Sequence, residues 1–312
     1  MTIRLTPLVL LAALWLLGSC SDSSESPIAD PNYEGSTVSD PNYEASTVSD
    51  VRQANIQINE IRLDQTVDGV SIQRRALIAI PDVGPRDGDD QLSLLVAFHG
   101  RGGQPEDLLR DFLPMLSKHS FAALIPEGLE LSWNLGREAS SADDAAFVDA
   151  LLQHLGQTTD VNLDRVFAYG HSNGAGLVHR LLAERPWFSA GVTSASALSD
   201  DFVPSTLVPA ASLLSLHGTE DREAPYAGGF GAAGHNFLPV EHSSAIWAEV
   251  LGCPPQPQRG ETSGGNIRLQ WSPCRGGHQV VHYGFVGFGH GLPPSLEGGL
   301  KDLIFDFFQT VP

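Results

Sequence analysis

Gly170-His171-Ser172-Asn173-Gly174 follows the apolar run Val166-Phe167-Ala168-Tyr169 and precedes a helical pattern from Ala175 to Arg185. Strand, Gly-x-Ser-x-Gly and helix in that order describe a sharp turn that pushes a serine oxygen out at the carboxyl end of a buried strand. The helix then points its positive end, together with the N–H of Asn173, at the place where negative charge develops during acyl transfer. Ser172 is therefore the candidate nucleophile. Glycine and serine are common in this chain, and a plain strand-turn-helix corner would read similarly, so the assignment leans on what surrounds it.

Apolar runs that read as buried strands alternate with amphipathic stretches on both sides of this motif. Ser93 to Phe98, Ala122 to Pro126, Arg165 to Tyr169, Gly191 to Ala197 and Ser212 to His217 read as strands, as do Ile267 to Trp271 and Gln279 to Tyr283. Glu106 to Lys118, Asp143 to Leu155, Ala175 to Arg185, Val240 to Leu251 and Ser295 to Gln309 read as helices. Such alternation predicts an α/β fold with a mostly parallel central sheet covered by helices on both faces. Ahead of it, Ile56 to Leu63 and Val70 to Ile80 read as an antiparallel strand pair turning at Asp68-Gly69. Residues 51–312, roughly 260 in all, suffice for one large domain with a substantial core.

A serine hydroxyl is a weak nucleophile at neutral pH, so the motif predicts a histidine base and an orienting carboxylate further along the chain. Asp221 emerges from His217-Gly218-Thr219-Glu220-Asp221, directly after the strand Ser212 to Leu216. Glu220, Asp200 and Asp201 are the alternatives. Among eleven histidines, His290 lies in the glycine-rich loop Gly287 to Gly291 after the last strand, where a base can hang over the sheet's edge. His278 and His282 read as packing or surface residues, His217 as support for the acid loop, and His171 as facing away from the nucleophile's partner. Oxyanion-hole donors are expected from the N–H of Asn173 and from Ala97-Phe98-His99-Gly100-Arg101-Gly102-Gly103, at Arg101 or Gly102. Trp133 and Asn134 are candidates to line an acyl pocket.

Residues 1–19 read as an export signal, with Arg4 before the apolar run Leu8 to Leu17, and Leu17-Gly18-Ser19-Cys20 resembles a bacterial lipobox with Cys20 as the lipidated residue. Residues 20–50 contain two ten-residue repeats, Pro31 to Asp40 and Pro41 to Asp50, that differ only at Gly35 and Ala45. With so little apolar content they read as a disordered acidic tether. A formal net charge of −19 argues against nucleic acid or an anionic membrane surface as partner. Membrane association is expected only through Cys20. In an oxidising compartment Cys253 and Cys274 most simply pair with each other, closing a loop of about twenty residues worth roughly 3 kcal/mol. Two cysteines without convergent histidines do not make a tetrahedral zinc shell, so no metal site is expected.

Phe98-His99-Gly100, Pro126-Glu127-Gly128, Ser132-Trp133-Asn134, Asp143-Asp144 before Phe147-Val148, the Gly170 motif, His217 to Asp221, Pro225 to Gly229, the cysteine pair and Gly289-His290 occur in order across residues 51–312. Together they resemble the extracellular polyhydroxybutyrate depolymerase and feruloyl esterase-like family of α/β-hydrolases, which includes bacterial lipoproteins. The resemblance implies an α/β-hydrolase fold, a carboxylic ester hydrolase without cofactor, Ser172 as nucleophile, His290 as base, Asp221 as orienting acid and a Cys253–Cys274 disulfide. Two positions depart from that pattern. Leu292 stands at a substrate-binding position where relatives carry tryptophan, and Arg101 where they carry cysteine. The acyl group expected is feruloyl-type, short-chain or hydroxyalkanoate. Rival readings are a serine peptidase and a non-catalytic binding protein on a hydrolase scaffold.

Overall fold

The computed structural model describes residues 55–82, 91–205, 208–262, 264–293 and 299–312. The predicted export signal, Cys20 and the tandem repeat lie outside them. Among the described residues ten strands form one sheet. At its amino-terminal edge β1 (Ile56–Val67) and β2 (Val70–Pro81) pair antiparallel along their whole length. Asp68 and Gly69 both take positive φ, 50° and 80°, the turn whose twist matches that of two antiparallel strands. The hairpin outruns its predicted ends at Leu63 and Ile80 because backbone pairing carries it on through the polar Asp64-Gln65-Thr66 to Val67, and to Pro81.

β2 lies antiparallel to β4 (Phe121–Pro126), which pairs in parallel with β3 (Ser93–Phe98). The parallel run continues through β5 (Asn162–His171), β6 (Phe188–Ser194), β7 (Ser212–Gly218) and β12 (Val280–Phe285). β11 (Ile267–Trp271) and β10 (Gln258–Glu261) then close the far edge antiparallel. Every residue of β3 and β4 is buried, as expected where both faces of a parallel sheet are covered. β10 was not foreseen, because its Gln-Arg-Gly-Glu sequence is wholly exposed and has no apolar residue to mark it. Nor was a separate two-stranded ribbon, β8 (Gly229–Phe230) with β9 (Asn236–Phe237), whose two-residue strands are too short to show a period.

Alternate residues of the strands feed two cores. Leu94, Val96 and Phe98 pack with α2 (Asp144–Thr158), α3 (Asn173–Glu184) and α4 (Val240–Val250). Leu95 and Ala97 pack on the other face with α1 (Pro105–His119) and α5 (Leu300–Gln309). The predicted helix from Ser295 is described only from Leu300, since residues 294–298 are not among those described. Asp143 caps α2 by accepting the Ala146 N–H at 3.0 Å, so the helix opens one residue later than the apolar pattern suggested. A disulfide joins Cys253, just after α4, to Cys274, between β11 and β12.

Candidate active site

The site lies where β5, β7 and β12 end. Ser172, between β5 and α3, takes φ 53° and ψ −121°, a conformation that costs a non-glycine residue of order 1–3 kcal/mol and persists only when its surroundings impose it. They do so through two glycines. A Cβ on Gly170 would stand 2.3 Å from the Gly174 carbonyl oxygen, and one on Gly174 would stand 2.4 Å from that of Phe98. The close approach those glycines permit seats α3 against β3 and lifts the serine hydroxyl above the sheet.

Asp221 follows β7 and is 4% exposed. Its Oδ1 accepts the amides of Glu223 and Ala224, each at 2.9 Å, which fixes the plane of the carboxylate. His290 follows β12, and the two loops are laced together: Glu220 N donates to Phe288 O at 2.8 Å, while Gly218 lies so close to Phe288 and Gly289 that no side chain would fit. His290 Nδ1 is 2.9 Å from Asp221 Oδ2, and its Nε2 is 2.8 Å from Ser172 Oγ. A carboxylate can only accept, so Nδ1 carries the proton and Nε2 is left to accept from the serine hydroxyl. Burial works against the charged imidazolium, but the hydrogen bond and charge of Asp221, with Glu223 at 3.7 Å, outweigh it and raise the His290 pKa. Asp221 is likewise penalised by burial, yet hydrogen bonds from His217, His290 and Ala224 N hold its pKa well below the ordinary carboxylate range.

The structure brings Ser172, His290 and Asp221 into one hydrogen-bonded chain. Two of the three alternative acids are engaged elsewhere, Asp201 with Arg137 at 2.7 Å and Asp200 with Asn236. His217 does support the acid loop: its Nε2 lies 2.8 Å from Ala224 O and 3.1 Å from Asp221 Oδ2. His171 corrects the expectation that it faces away. Its ring centroid is 5.4 Å from that of His290, its Nδ1 is 3.0 Å from Ser194 Oγ, and burial lowers its pKa to about 4, so an uncharged ring flanks the base.

In the loop expected to supply an oxyanion donor, the amides of Arg101 and Gly102 differ in their partners. The Gly102 amide donates to Leu131 O at 2.8 Å and that of Gly103 to Gly100 O at 3.0 Å, whereas no such bond to the described residues engages the Arg101 amide. A Cβ on Gly100 would stand 3.4 Å from Ser172 Cβ, so this loop borders the nucleophile directly. The Asn173 amide opens α3, where N–H groups have no partner within the helix.

Trp133 and Asn134 correct the pocket expectation. The Trp133 ring is 0% exposed, stands edge-on to Phe98 and donates its Nε1 hydrogen to His99 O at 2.8 Å. It underpins the oxyanion loop from the core instead of presenting a wall to a ligand. The Asn134 side chain is spent within its own loop, on Gly136 N at 3.0 Å and Ala142 O at 3.1 Å. Leu292 packs, half-buried, against the core beneath α1 and α5. Among the described residues no group of three or more His, Cys, Asp or Glu side chains could hold a metal ion.

A mostly parallel sheet with helices on both faces, and a serine, an aspartate and a histidine after β5, β7 and β12, define an α/β-hydrolase fold. Solved structures share the architecture: an acetyl xylan esterase from Aspergillus awamori superposes with a TM-score of 0.57 at 13% identity over 81% of this chain and 99% of its own. A cold-adapted esterase from an Arctic intertidal metagenomic library gives 0.52 at 12% identity over 85% and 99%. No family model matches the chain. Among curated proteins, feruloyl esterase C of Emericella nidulans is 26% identical over 252 residues, 76% of this chain and 84% of that protein. Feruloyl esterase B of Piromyces equi is 24% identical over 220 residues, 65% of this chain, which spans only 40% of that longer protein. The chain therefore has the α/β-hydrolase fold, and its sequence is similar to those of feruloyl esterases.

Proposed function

We propose that this protein is an exported serine esterase that works through a Ser172–His290–Asp221 triad. The unbroken chain from Ser172 Oγ through His290 to Asp221 carries the reading. His290 Nε2 takes the hydroxyl proton as Oγ bonds to the ester carbonyl carbon, and the amides of Arg101 and Asn173 receive the oxyanion. Collapse breaks the carbon–oxygen bond to the alcohol, which leaves with the proton from His290. Water then attacks the acyl-enzyme by the same route and releases the acid. Feruloyl-type esters are supported by the names of the two sequence relatives, and short-chain or hydroxyalkanoate esters by the motif resemblance.

The test is hydrolysis of p-nitrophenyl acetate, p-nitrophenyl butyrate, methyl ferulate and a hydroxybutyrate oligomer by residues 51–312 and by its Ser172→Ala variant. Turnover by the parent and its loss in the variant is the expected outcome. Full activity in Ser172→Ala refutes the assignment, and turnover of matched amides in preference to esters points to a peptidase. The proposal places the protein on a membrane through lipidated Cys20. Cys20→Ser should move the full-length protein from the membrane fraction to the soluble one, and an unchanged distribution removes the anchor from the reading.

A further inference from the structure

Asn173, whose amide is the second proposed oxyanion donor, is held from behind by its own side chain. Trp133 N donates to Asn173 Oδ1 at 2.6 Å, and Asn173 Nδ2 donates to Trp133 O at 3.0 Å and to Glu138 Oε1 at 3.1 Å. The Glu138 side chain is 1% exposed. Its Oε2 accepts the amides of Leu135 at 2.7 Å and Arg137 at 3.2 Å, and its Oε1 also meets His235 Nε2 at 3.0 Å and Arg101 Nη2 at 3.7 Å. His235, 5% exposed, turns its other nitrogen to Asp201 Oδ2 at 3.3 Å, and Arg137 holds Asp201 from outside. Each carboxylate only accepts, so both ring nitrogens must carry protons, and the imidazolium alone satisfies both contacts. No step of ester hydrolysis derived above uses this second histidine–carboxylate pair.

We infer that Glu138 and charged His235 are positioning residues for the oxyanion amide of Asn173. Glu138 braces the Asn173 side chain so that its backbone N–H keeps its aim, and His235 neutralises the buried carboxylate that does the bracing. The inference rests on Ser172 being the nucleophile. Groups facing His235 are Glu138 and Asp201, with Arg101 and Arg137 behind them and the Phe237 ring alongside. The hydrogen bond to Glu138 raises the His235 pKa against the penalty of burial, and Asp201 adds to it. The charged pair is therefore intact at lower pH and is lost as pH rises through that raised value.

The experiment follows two rates across pH for the parent, Glu138→Gln and His235→Gln: hydrolysis of a p-nitrophenyl ester, and phosphonylation of Ser172 by a fluorophosphonate. Both variants should lose roughly tenfold in kcat and in phosphonylation rate while KM stays within about twofold, since transition-state positioning is what fails. The parent's alkaline decline should be absent from His235→Gln. Parent-like kcat in a folded Glu138→Gln, a change confined to KM, or an alkaline decline that survives in His235→Gln overturns the inference. Phosphonylation without ester turnover in the parent defeats the ester reading alone and leaves the positioning test standing on labelling rates. No phosphonylation of the parent defeats both.

Discussion

As the proposed base, His290 works only when it is neutral, yet Asp221 and Glu223 favour its charged form. The acid limb of kcat/KM should therefore lie above the ordinary histidine value, and the stabilisation from the His290–Asp221 pair is full between the ordinary aspartate and histidine values and fades as pH rises and the enzyme becomes active. Asp221→Asn removes the charge that raises the pKa and the acceptor that fixes the tautomer. Its expected result is an acid limb displaced to lower pH and a kcat reduced by roughly 10⁴-fold, the cost seen for such a change in serine triads. A pH-rate profile of both proteins checks it. The hydrogen-bonded trio of Ser172, Asp221 and His290 was legible as residues, because a candidate nucleophile, acid and base are sought after strand ends, and buried strands announce themselves. Glu138 and His235 were not, since nothing in a run such as Arg137-Glu138-Ala139 distinguishes a buried brace from a solvated glutamate.

At the scale of elements, two glycines in α3 separate a backbone constraint from a soft one. A Cβ on Gly174 meets the carbonyl oxygen of Phe98, whereas one on Gly176 meets the Cδ1 tip of Leu135 at the same 2.4 Å. The first contact cannot yield without moving a strand, and the second yields by a rotation of Leu135. Gly174→Ala should cost roughly 3 kcal/mol in urea unfolding. Gly176→Ala should stay within about 1 kcal/mol of the parent, because alanine's helix propensity offsets the repacking. Equal losses would show that the α3–β3 approach is softer than the geometry indicates. The buried strands were readable to within a few residues because their side chains have no polar partner in water. β10 was not, because exposed backbone pairing needs no particular side chains, and neither was the β8–β9 ribbon, whose two-residue strands are too short to show a period.

Across the whole molecule, the edge hairpin is tied to the catalytic half by one buried ion pair. Arg74 Nη2 meets Asp144 Oδ1 at 2.8 Å, with the two side chains 2% and 0% exposed, and Asp144 Oδ2 accepts the Asn134 amide at 2.7 Å. Arg74 also covers the Phe147 ring at 4.2 Å. Arg74→Leu leaves Asp144 buried without its cation and should cost about 3–5 kcal/mol, read by calorimetry or denaturant unfolding. A loss below about 1 kcal/mol would mean that Asp144 takes a proton at no cost. The sequence by itself determined the α/β class, the residues proposed as serine nucleophile, acid and base, and the cysteine pair, because apolar periodicity and turn chemistry are local properties of a chain. Only the tertiary structure decided that Trp133 underpins the oxyanion loop, that Gly102's amide is already spent on Leu131, that His171 flanks the base, and that Glu138 and His235 meet behind Asn173. Those outcomes depend on which groups, far apart in the chain, compete for the same buried hydrogen bonds, and that competition exists only once the loops have been brought together.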